Sequence, residues 1–503
     1  MSGDIEKLLR QKGPCLSSEL GYALEKKLNI SPTAARQRVS RGSNISGGNI
    51  FRLTVLPFPK KAYFVYLKSQ YETDEYWQCL ITALIKSKSA YGLALMAFNA
   101  REGTMPEAHF TIACGAPIRQ KKHLSCDSVK ERLIKAGVVK RARVPGVGKC
   151  LHLRTVELDE MSMARLKARL LTESILLNAI CDWSKNIGMV SYDKVKIRDG
   201  TDDFPQVGTC AWDLSAPSYL TALRRWKGKQ VQPGFVACDV ISTYPLTEDG
   251  ISPFLNKCQL LLTQNCLQFI VAPAFTQGAF GAAKKLGVMP ATIDNLFGKE
   301  IAESLKVLTD MLCNTALQVV DPEKFDQLFN NLGRIEGAAG NLRGALFEFI
   351  AAELARRIRL GSDIRLNQIF KKSFNSEEKA EVDVCIVNLG QEVHFIECKG
   401  YTHKNKILLA DVERWQREKI PIIYASAREH PDMKNLRYKF HYWATCEFEE
   451  DAVAFLEERK ELISRYDINY KGAAQIAALT RQTNDQALIK VMNEHFLRHP
   501  LSQ

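Results

Sequence analysis

Two apolar stretches of this chain carry charges where burial would make them costly. Glu381-Val382-Asp383-Val384-Cys385-Ile386-Val387 alternates like a strand with Asp383 in its middle, and His394-Phe395-Ile396-Glu397-Cys398-Lys399-Gly400 reads as the next strand. Glu397 and Lys399 are two apart and so share a face, while Cys398 faces the opposite layer. An acid-x-lysine pair on a polar strand would be an exposed salt bridge of little worth. Here the strands are otherwise apolar, and buried charge is expensive unless it is paired or metal-bound. Carboxylate oxygens are hard ligands that favour Mg²⁺ or Mn²⁺ over zinc. An amine beside them can orient water and stabilise developing negative charge.

The elements around these residues come in a recognisable order. Asn341 to Arg359 reads as a helix with the stripe Leu346, Phe349, Ile350 and Leu354, and Glu348 lies beside that stripe. A connecting strand near Leu366 to Lys372 and a polar turn Asn375-Ser376-Glu377-Glu378 lead to the Asp383 strand. After the Glu397 strand, Lys406 to Glu418 reads as a helix and Ile420 to Ala425 as an apolar closing strand. An acid on one strand, then an acid and a lysine on its neighbour after thirteen intervening residues, resembles the PD-(D/E)XK (restriction-endonuclease-like) nuclease superfamily over residues 341–425. The proline of the motif's name is absent; Val382 precedes the acid. The resemblance implies a phosphodiester-cutting centre in which Asp383 and Glu397 bind Mg²⁺ (or Mn²⁺) with the main-chain carbonyl of Cys398. Lys399 would orient or help deprotonate the attacking water, and Glu348 would be a third acid, with Gln416 and His403 within reach.

The middle of the chain echoes that phrase. Gly234-Phe235-Val236-Ala237-Cys238-Asp239-Val240 aligns with residues 394–400, placing Ala237 at Glu397 and Asp239 at Lys399, while Asp213 takes the place of Asp383. With strands expected at Val190 to Lys196, Val207 to Leu214, Phe235 to Ile241 and Leu267 to Ala272, residues 156–330 read as a degenerate nuclease-like α/β domain without a working metal site.

Formal charge points to a polyanion partner. The chain carries +13, yet residues 1–155 hold 26 Lys and Arg against 11 Asp and Glu, and the remainder is nearly balanced at 43 against 45. A basic block on a folded segment is an electrostatic footprint for nucleic acid. Residues 4–67 read as three short helices and a hairpin, with Ser17 and Ser18 as caps of the second helix and Ser31-Pro32 starting the third. This order resembles a winged helix-turn-helix: Arg36, Arg38 and Arg41 would meet the major groove, and Lys60 and Lys61 would form the wing tip. Residues 71–155 read as a second winged-helix-like unit, with Arg119, Lys121, Lys122, Lys130, Lys140, Arg141, Arg143 and Lys149 as further candidate DNA-binding residues.

The expected fold is therefore a multidomain mixture of α+β and α/β: winged-helix-like domains at 1–70 and 71–155, the degenerate domain at 156–330, a PD-(D/E)XK αβββαβ domain at 331–450, and a helical tail at 451–503. Fourteen scattered cysteines without a C-x-x-C pair suggest reduced, mostly buried thiols, not disulfides or zinc. With 46% apolar and 25% charged residues, the composition excludes a disordered chain, and no apolar run reaches membrane-spanning length. A cytoplasmic protein is expected, because the N-terminus lacks a secretory pattern. The expected function is a Mg²⁺-dependent DNA endonuclease of the restriction or anti-invader kind, acting on duplex DNA, with a dimer for two-strand cuts. The alternatives are a DNA-binding regulator or assembly subunit, an RNA nuclease, and a Holliday-junction resolvase.

Overall fold

The computed structural model describes residues 2–42, 48–199, 203–227, 229–261, 265–313, 321–335, 338–361, 363–372, 378–388, 390–402 and 404–497. The expected features at Asn375-Ser376-Glu377 and His403 lie outside them. Residues 1–142, 149–157 and 184–293 form one unit, and residues 143–148, 158–183 and 294–503 form another.

In the first unit, α1 (Ser2–Lys12), β1 (Cys15–Leu16), α2 (Ser17–Leu28), α3 (Pro32–Gly42), β2 (Ile50–Leu53) and β3 (Phe64–Leu67) enclose a core of Leu9, Leu20, Leu24, Val39 and Val65. The small sheet runs β1-β3-β2. Ser31 starts α3 as its type predicts, accepting from the Ala34 N–H at 3.3 Å. The expected serine cap of α2 is corrected: the helix begins at Ser17, Glu19 accepts from the Leu16 N–H at 3.3 Å, and the Ser17 hydroxyl accepts from the Tyr63 N–H at 3.0 Å. Pairing with the sheet has claimed the hydroxyl.

Helices α4 (Asp74–Ser87) and α5 (Ala90–Asn99), β4 (Thr104–Pro106), α6 (Cys126–Lys135), β5 (Val139–Val144) and β6 (Gly148–Leu153) follow, with sheet order β4-β6-β5. Thr73 and Ser125 cap α4 and α6. Residues 91–98 of α5 are all buried in the protein's own core. Among the described residues no single helix is long and apolar enough to cross a membrane.

After the long helix α7 (Glu160–Asn186) comes a five-stranded sheet of β7 (Lys196–Ile197), β8 (Leu214–Ser218), β9 (Gly234–Val240), β10 (Cys266–Ala272) and β11 (Met289–Thr292), with α8 (Glu248–Leu260) and α9 (Gln277–Lys285) as connections. Two expected strands are corrected. The run from Val190 yields only the two residues of β7, and the run from Val207 is broken by a turn in which Gly208 adopts φ +64°, so β8 starts at Leu214.

The second unit contains α10 (Lys299–Cys313), α11 (Pro322–Leu332) and α12 (Ala338–Arg357), then β12 (Asp363–Lys371), β13 (Lys379–Asn388) and β14 (Glu392–Lys399). Next come α13 (Leu409–Arg414), a π-helical turn Trp415–Lys419, α14 (Ile420–Glu429), β15 (Arg437–Ala444), α15 (Glu450–Leu462), β16 (Asp467–Lys471) and α16 (Ala473–Gln482). Three expectations change here. Ile420 to Ala425 is helical, because Ile420, Ile423 and Ala427 recur at helical spacing and are all buried. The closing strand is β15 instead, whose Tyr438, Phe440 and Tyr442 alternate into the core. The tail beyond residue 450 is not purely helical, since β16 adds a fifth strand with Ile468 buried. Residues 158–183 and 294–330, expected with the middle domain, belong to this second unit: Thr172 Oγ1 meets Thr309 Oγ1 at 2.7 Å and Phe325 packs edge-on to Phe349.

Both five-stranded sheets have one topology. In the first, β7, β8 and β9 pair antiparallel before β10 and β11 add in parallel. In the second, β12, β13 and β14 pair antiparallel before β15 and β16 add in parallel. Register also corrects the sequence alignment of the echo. One step beyond the pair Leu214↔Cys238, Asp213 stands across from Asp239, as Asp383 stands across from Glu397 one step beyond Val384↔Ile396. Asp239 thus corresponds to Glu397, and Ile241 to Lys399; shared Phe and Cys residues had suggested a frame two residues away.

Candidate active site

Asp383 and Glu397 meet where β13 and β14 separate. Asp383 is 8% exposed and Glu397 5%. The Cys398 N–H donates to Asp383 Oδ2 at 2.6 Å, fixing that carboxylate against the neighbouring strand. Lys399 Nζ donates to Glu397 Oε1 at 2.7 Å. A second lysine, Lys419, comes from the π-helical turn and reaches Glu397 Oε1 and Oε2 at 2.7 and 2.6 Å. On β12, opposite Asp383, Asn367 adopts φ +53°, a left-handed conformation that asparagine tolerates. With its amide nitrogen turned inward, Asn367 donates to Glu348 Oε2 at 3.2 Å and to Glu381 Oε1 at 3.3 Å. Lys167 of α7 pairs with Glu381. Glu348, on α12 beside the buried Leu346, Phe349 and Ile350, faces this group.

Electrostatics show that these side chains share one environment. Burial, then Glu397, pushes Asp383 up to about 7. Burial followed by Asp383 and Glu381 raises Glu348 well above the usual carboxylate range. Burial also works to raise Glu397, but Lys399 and Lys419 outweigh it and hold that carboxyl low. Both lysines are raised in turn: burial opposes their charge, and Glu397 and Asp383 overcome it. Lys399 is therefore an ammonium here. A base role would require it first to lose its proton.

Glu348, Asp383, Glu397 and Lys399, singled out from sequence, thus converge. Lys419, Glu381, Asn367 and Lys167 were missed. Glu381 lies two residues before Asp383 in the same strand and was open to the same reading; the others come from distant elements with no local signal. Gln416 sits half-buried in the π-helical turn.

The donor set suits a hard divalent cation. Four carboxylates face three ammonium groups, and among the described residues no cation lies within 4 Å of Asp383. The ligating atoms of Glu348, Asp383 and Glu397 do not all lie within 4.8 Å of one another; among the described residues that closeness occurs at Asp326, Glu494 and His495. Lys490 already reaches Asp326 at 2.8 Å there.

The candidate DNA-binding residues of the first 155 positions fall into two groups. Arg36, Arg41, Lys60, Lys61, Arg119, Lys121, Lys122, Lys140, Arg143 and Lys149 are exposed, and Arg38 is half-buried. Lys130 is held by Asp127 at 3.4 Å and Glu107 at 3.5 Å, and Arg141 by Glu131 at 2.5 Å and Glu107 at 3.4 Å. Those two already have anionic partners. All fourteen cysteines are free and none is exposed.

No protein-family model and no curated protein matches this sequence. Two solved structures of the restriction endonuclease FokI align with it. The DNA-bound form is 13% identical over 93% of this chain and 82% of that one, and the other is 11% identical over 92% and 80%, each with a TM-score of 0.20.

Proposed function

We propose that this chain is a metal-dependent endonuclease that hydrolyses phosphodiester bonds in DNA, built like the PD-(D/E)XK enzymes its motif resembles and serving restriction or defence against invading DNA. The reading is carried by the junction of β13 and β14, where Asp383 and Glu397 stand across from each other with Lys399 on the same strand. Asp383, Glu397, Glu348 and the Cys398 carbonyl are the groups that would hold Mg²⁺ or Mn²⁺. Such an ion, when bound, neutralises phosphate charge and makes water nucleophilic near neutral pH. The chain's own residues do the rest. Asp383 is kept in place by the Cys398 N–H. Lys399, whose side chain keeps 29% of its surface, would offer its positive charge to an incoming phosphate oxygen. Lys419 holds Glu397 when no cation does. Arg36, Arg38 and Arg41 on α3 would grip the duplex backbone.

Supercoiled plasmid with Mg²⁺ is the test. The parent should nick or linearise it, and Asp383→Asn and Lys399→Met should bind the plasmid without cutting. One observation favours a second reading, a DNA-binding subunit with a silent centre: both Glu397 oxygens are engaged by lysines. Equal residual activity in parent and Asp383→Asn would select it. RNA and branched-DNA substrates in the same assay separate a ribonuclease or junction resolvase.

A further inference from the structure

The middle sheet repeats the bond that fixes the first acid. Asp213 Oδ2 accepts from the Val240 N–H at 2.8 Å, as Asp383 Oδ2 accepts from the Cys398 N–H at 2.6 Å. In each sheet the second acid stands on the next strand, and a lysine arrives from the helical segment that follows. Lys257 of α8 reaches Asp239 Oδ2 at 2.5 Å, and Lys419 reaches Glu397 at 2.6 Å.

The differences are chemical. Ile241 replaces the amine of Lys399, so nothing on that strand could meet a phosphate. The Arg198 guanidinium binds Asp213 Oδ1 at 2.7 Å. Lys257 Nζ lies among three oxygens, Asp239 Oδ2 and the carbonyls of Ile112 and Ala211 at 2.9 Å each, and 4.2 Å over the Trp212 ring. Asp213 and Lys257 are 0% exposed and Asp239 3%, whereas the Lys399 and Lys419 side chains keep 29% and 33% of their surface. Two monovalent cations are bound to the two carboxylates, the charge one divalent ion would supply, with Arg101 a further positive charge acting on Asp239, and the pair is almost wholly closed to solvent.

We infer that Asp213 and Asp239 are a second cation-binding centre of the same build, sealed because the Lys257 ammonium and the Arg198 guanidinium occupy the place of a divalent cation. On the proposed nuclease reading, on which this rests, each chain then holds one cutting centre, and the middle sheet keeps its core without metal.

Mn²⁺ titration of the full chain, followed by electron paramagnetic resonance, tests this. Asp383→Asn with Glu397→Gln removes the C-terminal centre; this double variant should bind no Mn²⁺ at millimolar concentration. Adding Lys257→Ala should restore about one bound Mn²⁺ per chain and make the melting temperature rise on Mn²⁺ addition, both abolished by further Asp239→Asn. Mn²⁺ held by the double variant with Lys257 intact, and lost on Asp239→Asn, would overturn the inference, since the centre would then be open; Mn²⁺ that instead leaves on Asp326→Asn belongs to the Asp326, Glu494 and His495 cluster. So would a folded Lys257→Ala chain that binds none. If Lys257→Ala does not fold, Arg198→Gln in the same background should bind Mn²⁺ more weakly and lose it with Asp213→Asn; no binding there counts equally against the inference. A parent that binds no Mn²⁺ would instead sink the nuclease reading while leaving the Lys257 arm to be decided separately.

Discussion

His394 and His441 form a buried pair on β14 and β15, the strands that carry and flank Glu397 and Lys399. His394 Nδ1 lies 2.9 Å from His441 Nε2, and His394 Nε2 lies 2.9 Å from Glu392 Oε1, which shares its carboxylate with Lys439 at 2.7 Å. The two rings stack at 5.1 Å, and His441 Nδ1 is buried without a hydrogen-bond partner among the described residues. Burial first, then the His394, Lys471 and Lys439 charges, lowers His441 to about 3. Burial lowers His394 too, against the pull of Glu392. Below about 6.5 the unfolded chain takes up a proton on each histidine, whereas folded His441 resists until about 3, so stability falls as pH falls through that window. At about pH 5 the His441 contribution is roughly 1.5 pH units at ~1.4 kcal/mol each, or about 2 kcal/mol. His441→Phe keeps the stacking and removes the titration, at about 1 kcal/mol for the missing hydrogen bond near neutral pH. Urea unfolding at about pH 7.5 and about pH 5 should show the parent losing roughly 2 kcal/mol more than the variant on acidification. Equal losses in the two proteins would refute the reasoning, because the buried imidazole would then be free to protonate in place.

Asp383→Asn should lower Mg²⁺-dependent plasmid cleavage by about a hundredfold or more while leaving the fold intact, since an asparagine oxygen can still accept from the Cys398 N–H; circular dichroism and a cleavage time course check both parts. Lys419→Met should cost about 1–2 kcal/mol, less than a fully buried ion pair because the lysine is a third exposed, and urea titration at neutral pH reads it. Arg36→Ala and Arg41→Ala should weaken duplex binding and flatten its salt dependence by about 1 in log–log slope for each phosphate no longer neutralised. Arg141→Ala should change binding little, since Glu131 and Glu107 already hold that guanidinium. Fluorescence anisotropy at several salt concentrations separates the two cases.

The local pieces of the site and its acid-and-lysine chemistry were legible in the linear chain. Alternation in residues 381–387 and 394–400 marked two strands whose charges had to be paired or ligated, and the stripe on α12 marked Glu348. Such patterns are local, because a strand's alternation and a helix's period are written in consecutive residues. What those pieces face was settled by folding. Ile420 to Ala425 looked like a strand until burial of Ile423 and Ala427 on one helical face defined it as α14. β16 joined the sheet from a tail that reads as charged helices, and Asp239 took the place of Glu397 through pairing with β8, not through the phrase around it. Lys419, Lys167 and Lys257 are ordinary lysines in the sequence. They become counterions only when folding brings them within reach of buried carboxylates, for ion pairing depends on distance and dielectric, and neither is encoded in neighbouring residues.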